Sequence, residues 1–207
     1  MAKSPAQSKF DDIVKRAVTP VMKPYGFKKK SVTYRRRNGT VVQVVNLQSS
    51  SDSTAFEKLF YINVGLAFDE ICALTGLEIK DDAHDYDCDQ RGFRCRLENL
   101  DDDAPHRWCV SAEEDYSVDD ELAIAVQKLA ANLAVIDSLE AFSHHHWFDT
   151  SSPTNIHAQT HYLLGKPDES WNTILKICSR FPDRPKLAAP AFWVADCSLP
   201  GLADRLP

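Results

Sequence analysis

The chain has 207 residues, 43% of them hydrophobic, and a formal net charge of -6. That is enough apolar material for a sizeable core, and the length allows one domain with an appendage or two small domains. No apolar run approaches the roughly 20 residues needed to cross a bilayer, and Met1 to Lys9 lacks the apolar centre of a signal peptide, so a cytoplasmic protein without a membrane partner is expected.

The net charge hides a segregation. From Lys9 to Arg37 ten Lys or Arg face two acids, while the remainder has fourteen against twenty-eight. Such a basic stretch can steer an acidic partner, or it can be neutralised by the acidic part of the same fold. The six cysteines, Cys72, Cys88, Cys95, Cys109, Cys178 and Cys197, contain no C-x-x-C pair and read as free, mostly buried thiols.

In chain order, Met1 to Gln7 reads as a loose terminus, with structure beginning near Ser8. Phe10, Ile13, Val14, Ala17, Val18 and Val21 recur at helical spacing, with Ser8 placed to cap and Asp11 and Asp12 in the first turn. Pro20 should disturb this helix, because proline cannot donate to the carbonyl four residues earlier, and Pro24 with Gly26 should end it. Thr33 to Arg37 and Thr40 to Leu47 then flank Asn38-Gly39, the pattern of a hairpin with a type I′ turn. After the polar loop Ser49 to Thr54, Phe60 to Phe68 reads as a third antiparallel strand, in which Gly65 marks a bulge or a close backbone approach.

From Asp69 to Glu121 eighteen acids stand against five Lys or Arg, a largely solvated stretch. Within it Phe93 to Leu97 and Arg107 to Ser111 read as short strands separated by a loop at Asp101 to Pro105. Asp119 is placed to cap a long helix whose apolar positions run from Leu122 through Ile136 to Leu139 or Glu140. After Ser152-Pro153, Ile156 to Leu164 and Glu169 to Phe181 read as a helical hairpin joined by Gly165-Lys166-Pro167, too short for a solenoid. Pro185, Pro190, Pro200 and Pro207 interrupt the rest, where Phe192, Trp193, Val194 and Leu199 should cover a groove. The expected fold is α+β: an antiparallel sheet packed by an N-terminal and a long central helix over residues 1–150, with a C-terminal helical extension over 151–207.

Pro20, Tyr25-Gly26-Phe27-Lys28-Lys29-Lys30, Tyr34-Arg35, the Val42 to Gln48 strand and Ile62-Asn63-Val64-Gly65 together resemble the domain of unknown function family 4304. The resemblance spans roughly Phe10 to Leu139. It implies an α+β fold around an antiparallel sheet, and it implies no activity, since the family has none established.

Chemistry is sparse. His144-His145-His146 and His157-x-x-x-His161 are metal-ligating types, and histidines four apart share a helix face. The spacing lacks the glutamate that would follow the first histidine in a zinc protease; Asp149, Asp168 or a consecutive histidine would have to supply a third ligand. Asp85, Asp87 and Asp89 in the acidic run Asp81 to Asp89 offer oxygens for a hard cation, but Arg96 falls where an EF-hand needs its closing glutamate. Cys88, Cys95 and Cys109 lie near His84 and His106 in sequence without a nucleophile motif. No phosphate-binding or dinucleotide glycine loop and no G-x-S-x-G elbow is present.

Lys28-Lys29-Lys30 and Arg35-Arg36-Arg37, with Tyr25, Phe27 and Tyr34 interleaved, raise nucleic acid as a ligand. Against it, strand alternation splits each triplet across the sheet, and the whole chain is acidic. The leading expectation is a non-enzymatic binding module without a cofactor, taking an acidic protein partner through Lys28, Lys30, Tyr34, Arg35 and Arg37; a bacterial immunity-like inhibitor of a protein toxin would fit such a scaffold. The alternatives are a metal-dependent hydrolase using His144 to His161, with His157 and His161 as ligands, and a nucleic-acid-binding protein using the basic hairpin.

Overall fold

In the computed structural model, residues 3–80, 82–113, 118–150, 152 and 154–206 are described. Met1, Ala2, Asp81, residues 114–117, Ser151, Pro153 and Pro207 lie outside them.

The N-terminal helix begins earlier than the sequence reading expects. Helix α1 spans Pro5–Ile13, and Ser4, not Ser8, caps it: the Ser4 Oγ accepts a hydrogen bond from the Gln7 N–H at 3.2 Å. Pro5 suits the first helical position because its missing N–H has no partner to lose there. Pro20 has the expected effect one turn ahead of itself. Val14–Val18 widens into a π-helical turn, and Thr19 donates both its N–H and its hydroxyl to the Val14 carbonyl before α2, Thr19–Met22.

Among the described residues six strands form one antiparallel sheet. Strands β1 (Lys28–Lys30), β2 (Thr33–Asn38), β3 (Val41–Ser49) and β4 (Glu57–Phe68) run as a meander. Strand β5 (Gly92–Arg96) pairs with the C-terminal half of β4, and β6 (Trp108–Ser111) pairs with its N-terminal half. The two short strands therefore lie end to end along a single edge of β4, as one strand interrupted by residues 97–107.

The β2–β3 hairpin forms as expected, but its turn is shifted by one residue. Asn38 pairs with Val41, so Gly39 and Thr40 are the turn residues, and the positive φ of 57° at Gly39 alone matches a type II′ turn. Gly39 is also constrained from outside: a Cβ there would lie 2.1 Å from the Asp137 carbonyl oxygen. Gly65 marks a close approach and no bulge, since Val44, Gly65 and Arg94 stay in continuous register while a Cβ at Gly65 would meet the Cys88 sulfur at 2.7 Å.

After α3 (Asp69–Thr75) and the acidic segment, α4 spans Asp119–Ala134. Val118 occupies the position before it, so Asp119 lies inside the first turn with Asp120 and Glu121, complementing the dipole. The helix stops short of Leu139 because the hairpin caps it. The Gln43 Nε2 donates to the carbonyls of Leu133 at 2.8 Å and Ile136 at 2.6 Å, and the Asn38 Nδ2 to those of Ala134 and Ile136 at 3.2 Å each. Leu139 then starts a separate helix α5, Leu139–Ser143, with Ser138 as its cap.

One face of the sheet carries the main core. Tyr34, Val41, Val45, Leu47, Phe60, Ile62, Val64, Leu66 and Phe68 meet α1, α2 and α4 there. Phe10 packs edge-on against Phe60 at 4.9 Å and Phe142 against Phe68 at 5.3 Å, contacts of about 0.5–1.5 kcal/mol each beyond area burial. Five further helices follow among the described residues: α6 (His146–Thr150), α7 (Asn155–Leu163), α8 (Pro167–Ser179), α9 (Pro185–Ala188) and α10 (Pro190–Asp196). The α7–α8 hairpin and the segment after it bury their own cluster of Ala158, Ile174, Cys178, Val194, Cys197, Leu199 and Leu202, against which Leu74 of α3 packs, while Ile156 joins the main core. No helix of the described residues is long and apolar enough to cross a membrane.

Candidate functional site

The second face of the sheet is polar. Its register places Lys28 opposite Arg35 and Lys30 opposite Thr33, with Arg37 two residues beyond Arg35, so Lys28, Lys30, Arg35 and Arg37 share this face while Lys29, Tyr34 and Arg36 take the other. Each basic triplet is split, as strand alternation requires.

At the β1–β2 end of the sheet a cleft of about 480 Å³ is lined, among the described residues, by Gly26, Val42, Asp82 and six basic residues, of which Lys28, Lys30, Arg35 and Arg37 belong to this face and Lys29 and Arg36 to the other. Edge strands often carry lysines to discourage pairing with another sheet, which accounts for an exposed Lys28-Lys29-Lys30. It does not account for Arg35, whose residue is only 8% exposed. The Arg35 Nε donates to the Ala83 carbonyl. Arg37 is half-exposed and ion-paired with Asp69 at 2.7 Å. Lys28 and Lys30 are exposed and have no ion-pair partner among the described residues.

Tyr34 must be removed from the expected binding set. It is buried at 1% exposure on the helix-facing side, and its hydroxyl shares a hydrogen bond with Thr19 at 2.8 Å. Burial raises its pKa, against the lowering effect of the Thr19 bond. Arg36 likewise turns inward, stacking on Phe27 at 4.6 Å and donating to Gln43 at 2.7 Å and to the Tyr25 carbonyl.

The acidic segment folds back over the opposite half of the same face. A 3-10 turn at Asp85–Gln90 lies over β4, with Cys88 packed against Val42, Val44 and Ala67. Burial and the surrounding aspartates push the Cys88 thiol up to about 12, so it is a packing group and not a nucleophile at neutral pH. The alternating aspartates are committed to their own protein: Asp85 pairs with Arg94 at 2.9 Å, Asp89 with Arg94 at 3.4 Å, and the Asp87 carboxylate accepts from the His84 N–H at 2.7 Å.

The histidines have structural engagements. His157 accepts from the Thr154 N–H through Nδ1 at 3.1 Å and bonds the Phe148 carbonyl through Nε2 at 2.7 Å, so it fills the glutamate position of a capping box for α7 and ties that helix to α6. The Thr154-x-x-His157 spacing was the signal for this in the sequence. His145 bonds Asn132 through Nε2 at 3.2 Å and accepts from the Trp147 N–H through Nδ1 at 3.3 Å; burial pushes its pKa down to about 4. His161 stands against the Phe148 ring at 5.6 Å, and burial lowers its pKa as well. Among the described residues no group of three or more His, Cys, Asp or Glu is placed to hold a metal ion.

Sequence reasoning missed the role of residues 77–80 and 82–91 as a cover for the polar face. The aspartates drew attention as possible ligands, whereas Ala83 and Cys88, which do the packing, carry no motif.

No curated protein and no solved structure matches the chain. The family model for a domain of unknown function, DUF4304, matches residues 18–140, which hold the sheet, α4 and the cleft. This is more than half of the chain, and the protein belongs to the DUF4304 family.

Proposed function

We propose that the chain is a non-enzymatic interaction module of the cytoplasm that receives an acidic protein partner on the β1–β2 end of its polar sheet face. Its support is one observation: among the described residues four cations of this face, Lys28, Lys30, Arg35 and Arg37, line one cleft with a single carboxylate, and Lys28 and Lys30 have no ion-pair partner. Clefts lined by one sign of charge focus the field and steer partners of opposite charge.

A protein is favoured over nucleic acid by the aromatic residues. Tyr25, Phe27 and Tyr34 all pack on the main core, with the Tyr25 hydroxyl accepting from Gln127 at 2.7 Å, so none of the three forms a stacking platform beside the cations.

The test is quantitative capture from the protein's own cells with the wild type and a Lys28→Glu, Lys30→Glu variant, whose substituted side chains are exposed. A stoichiometric acidic protein, lost in the variant and released by moderate salt, supports the proposal. Equal recovery by both forms, or nuclease-sensitive nucleic acid in place of protein, overturns it.

A further inference from the structure

Of the four cations that share this sheet face, Arg35 is the buried one. It is 8% exposed, its Nε is bound to the Ala83 carbonyl, and its two terminal nitrogens make no hydrogen bond among the described residues although the side chain lines the cleft. A buried guanidinium without a counter-ion is costly, and the arginine fork is matched to two parallel oxygens.

The other cations continue from Arg35 in a regular way. Arg35 and Arg37 are two residues apart on β2, Lys28 and Lys30 two apart on β1, and Lys28 lies opposite Arg35. Two residues of strand advance about 6.8 Å, so the array from Lys30 to Arg37 spans about 13 Å along the strands. One tetrahedral anion cannot reach both ends. An extended peptide can, because its alternate side chains leave one side of the backbone at that same spacing of about 6.8 Å.

We infer that the cleft is a subsite for an extended acidic segment with carboxylates at alternate positions, one of which takes the Arg35 fork while its neighbours meet Lys28, Lys30 and, in exchange for its Asp69 pair, Arg37. This rests on the proposal that the partner is an acidic protein, and it names the shape that the partner presents. The exposed Asp82 on the rim opposes the ligand's charge.

Calorimetric titration of the full chain tests it with two peptides of identical composition, one alternating glutamate with threonine and one carrying its glutamates in a block. The alternating peptide is expected to bind about ten-fold tighter, to lose about ten-fold on Arg35→Ala, and to be only partly restored by Arg35→Lys, which keeps the charge and loses the fork. Asp82→Ala should tighten it, and Lys28→Glu provides a variant whose folding is not in question. Equal affinity for the two peptides overturns the inference, as does inorganic phosphate or pyrophosphate that binds more tightly than the alternating peptide and displaces it. If the peptides fail while capture from cells still yields an acidic protein lost in the Lys28→Glu, Lys30→Glu variant, the spacing is wrong and the interaction module stands; if capture fails as well, both fall.

Discussion

Arg35 on β2 and Arg94 on β5 stand in the same cross-strand row of the same face, with Val44 and Gly65 between them. Arg94 receives two carboxylates, Asp85 and Asp89, from the segment folded over the sheet. Among its described residues, the same segment offers Arg35 the carbonyl of Ala83. Two arginines of equal sequence character thus end in opposite electrostatic states. What separates them is which residue of one covering loop falls above each. Charge is stabilising where the loop supplies its counter-ion, and it is available for a partner where the loop supplies a neutral acceptor.

The comparison breaks most severely if the cover is lifted. Gly65→Ala forces a Cβ against the Cys88 sulfur and should cost about 3 kcal/mol in urea unfolding, since neither the β4 backbone nor the packed thiol can yield easily. Alkylation gives an independent reading: Cys109 is exposed and should label first, while Cys88 should stay protected in the wild type and label readily in Gly65→Ala.

Removing the counter-ion while leaving the cover is milder. Asp85→Asn strands Arg94 beside the weaker Asp89 contact and should cost about 2 kcal/mol, less than a fully buried pair because the Arg94 side chain is one-third exposed. Arg35→Gln should cost less than this or even stabilise, because it removes a buried charge that has no counter-ion among the described residues.

A pH series locates a third, electrically separate region at the α5–α7 junction. His145 and His157 both have folded-state pKa values lowered by burial, so the unfolded chain binds more protons than the folded one once the pH falls below the ordinary histidine value of about 6.5. The stability they contribute is fully present above that value and should decline as the pH falls toward about 4, where His145 titrates in the fold. His145→Gln should flatten that decline in denaturant titrations. The sheet variants should keep it.

The smallest effect should come from the open end. Lys28→Glu, Lys30→Glu changes exposed side chains without ion-pair partners among the described residues, and stability should move by no more than about 0.5 kcal/mol while partner capture is lost. A large loss of stability there would mean that the cations serve the fold.

Much of the architecture was legible because it depends on local periodicity. The hydrophobic spacing of α1 and α4, the hairpin around Asn38-Gly39, the splitting of the basic triplets and the α7–α8 hairpin all follow from residues a few positions apart. Boundaries were less legible where a distant group decides them. Helix α4 ends at Ala134 because Gln43 and Asn38, ninety or more residues earlier, take the carbonyls of Leu133 and Ala134. The turn shifts to Gly39-Thr40 where the Asp137 carbonyl leaves no room for a side chain and accepts the Thr40 N–H at 2.9 Å.

By itself, the sequence determined an α+β chain with an antiparallel sheet, a basic N-terminal part and an acidic middle, since composition and period survive any arrangement of the loops. Tertiary structure alone decided that Tyr34 is core, and that Arg94 meets two carboxylates while Arg35 meets the Ala83 carbonyl. Each of those outcomes turns on a group from another segment arriving within about 3 Å, and hydrogen bonds and ion pairs are too short-ranged for sequence spacing to specify them.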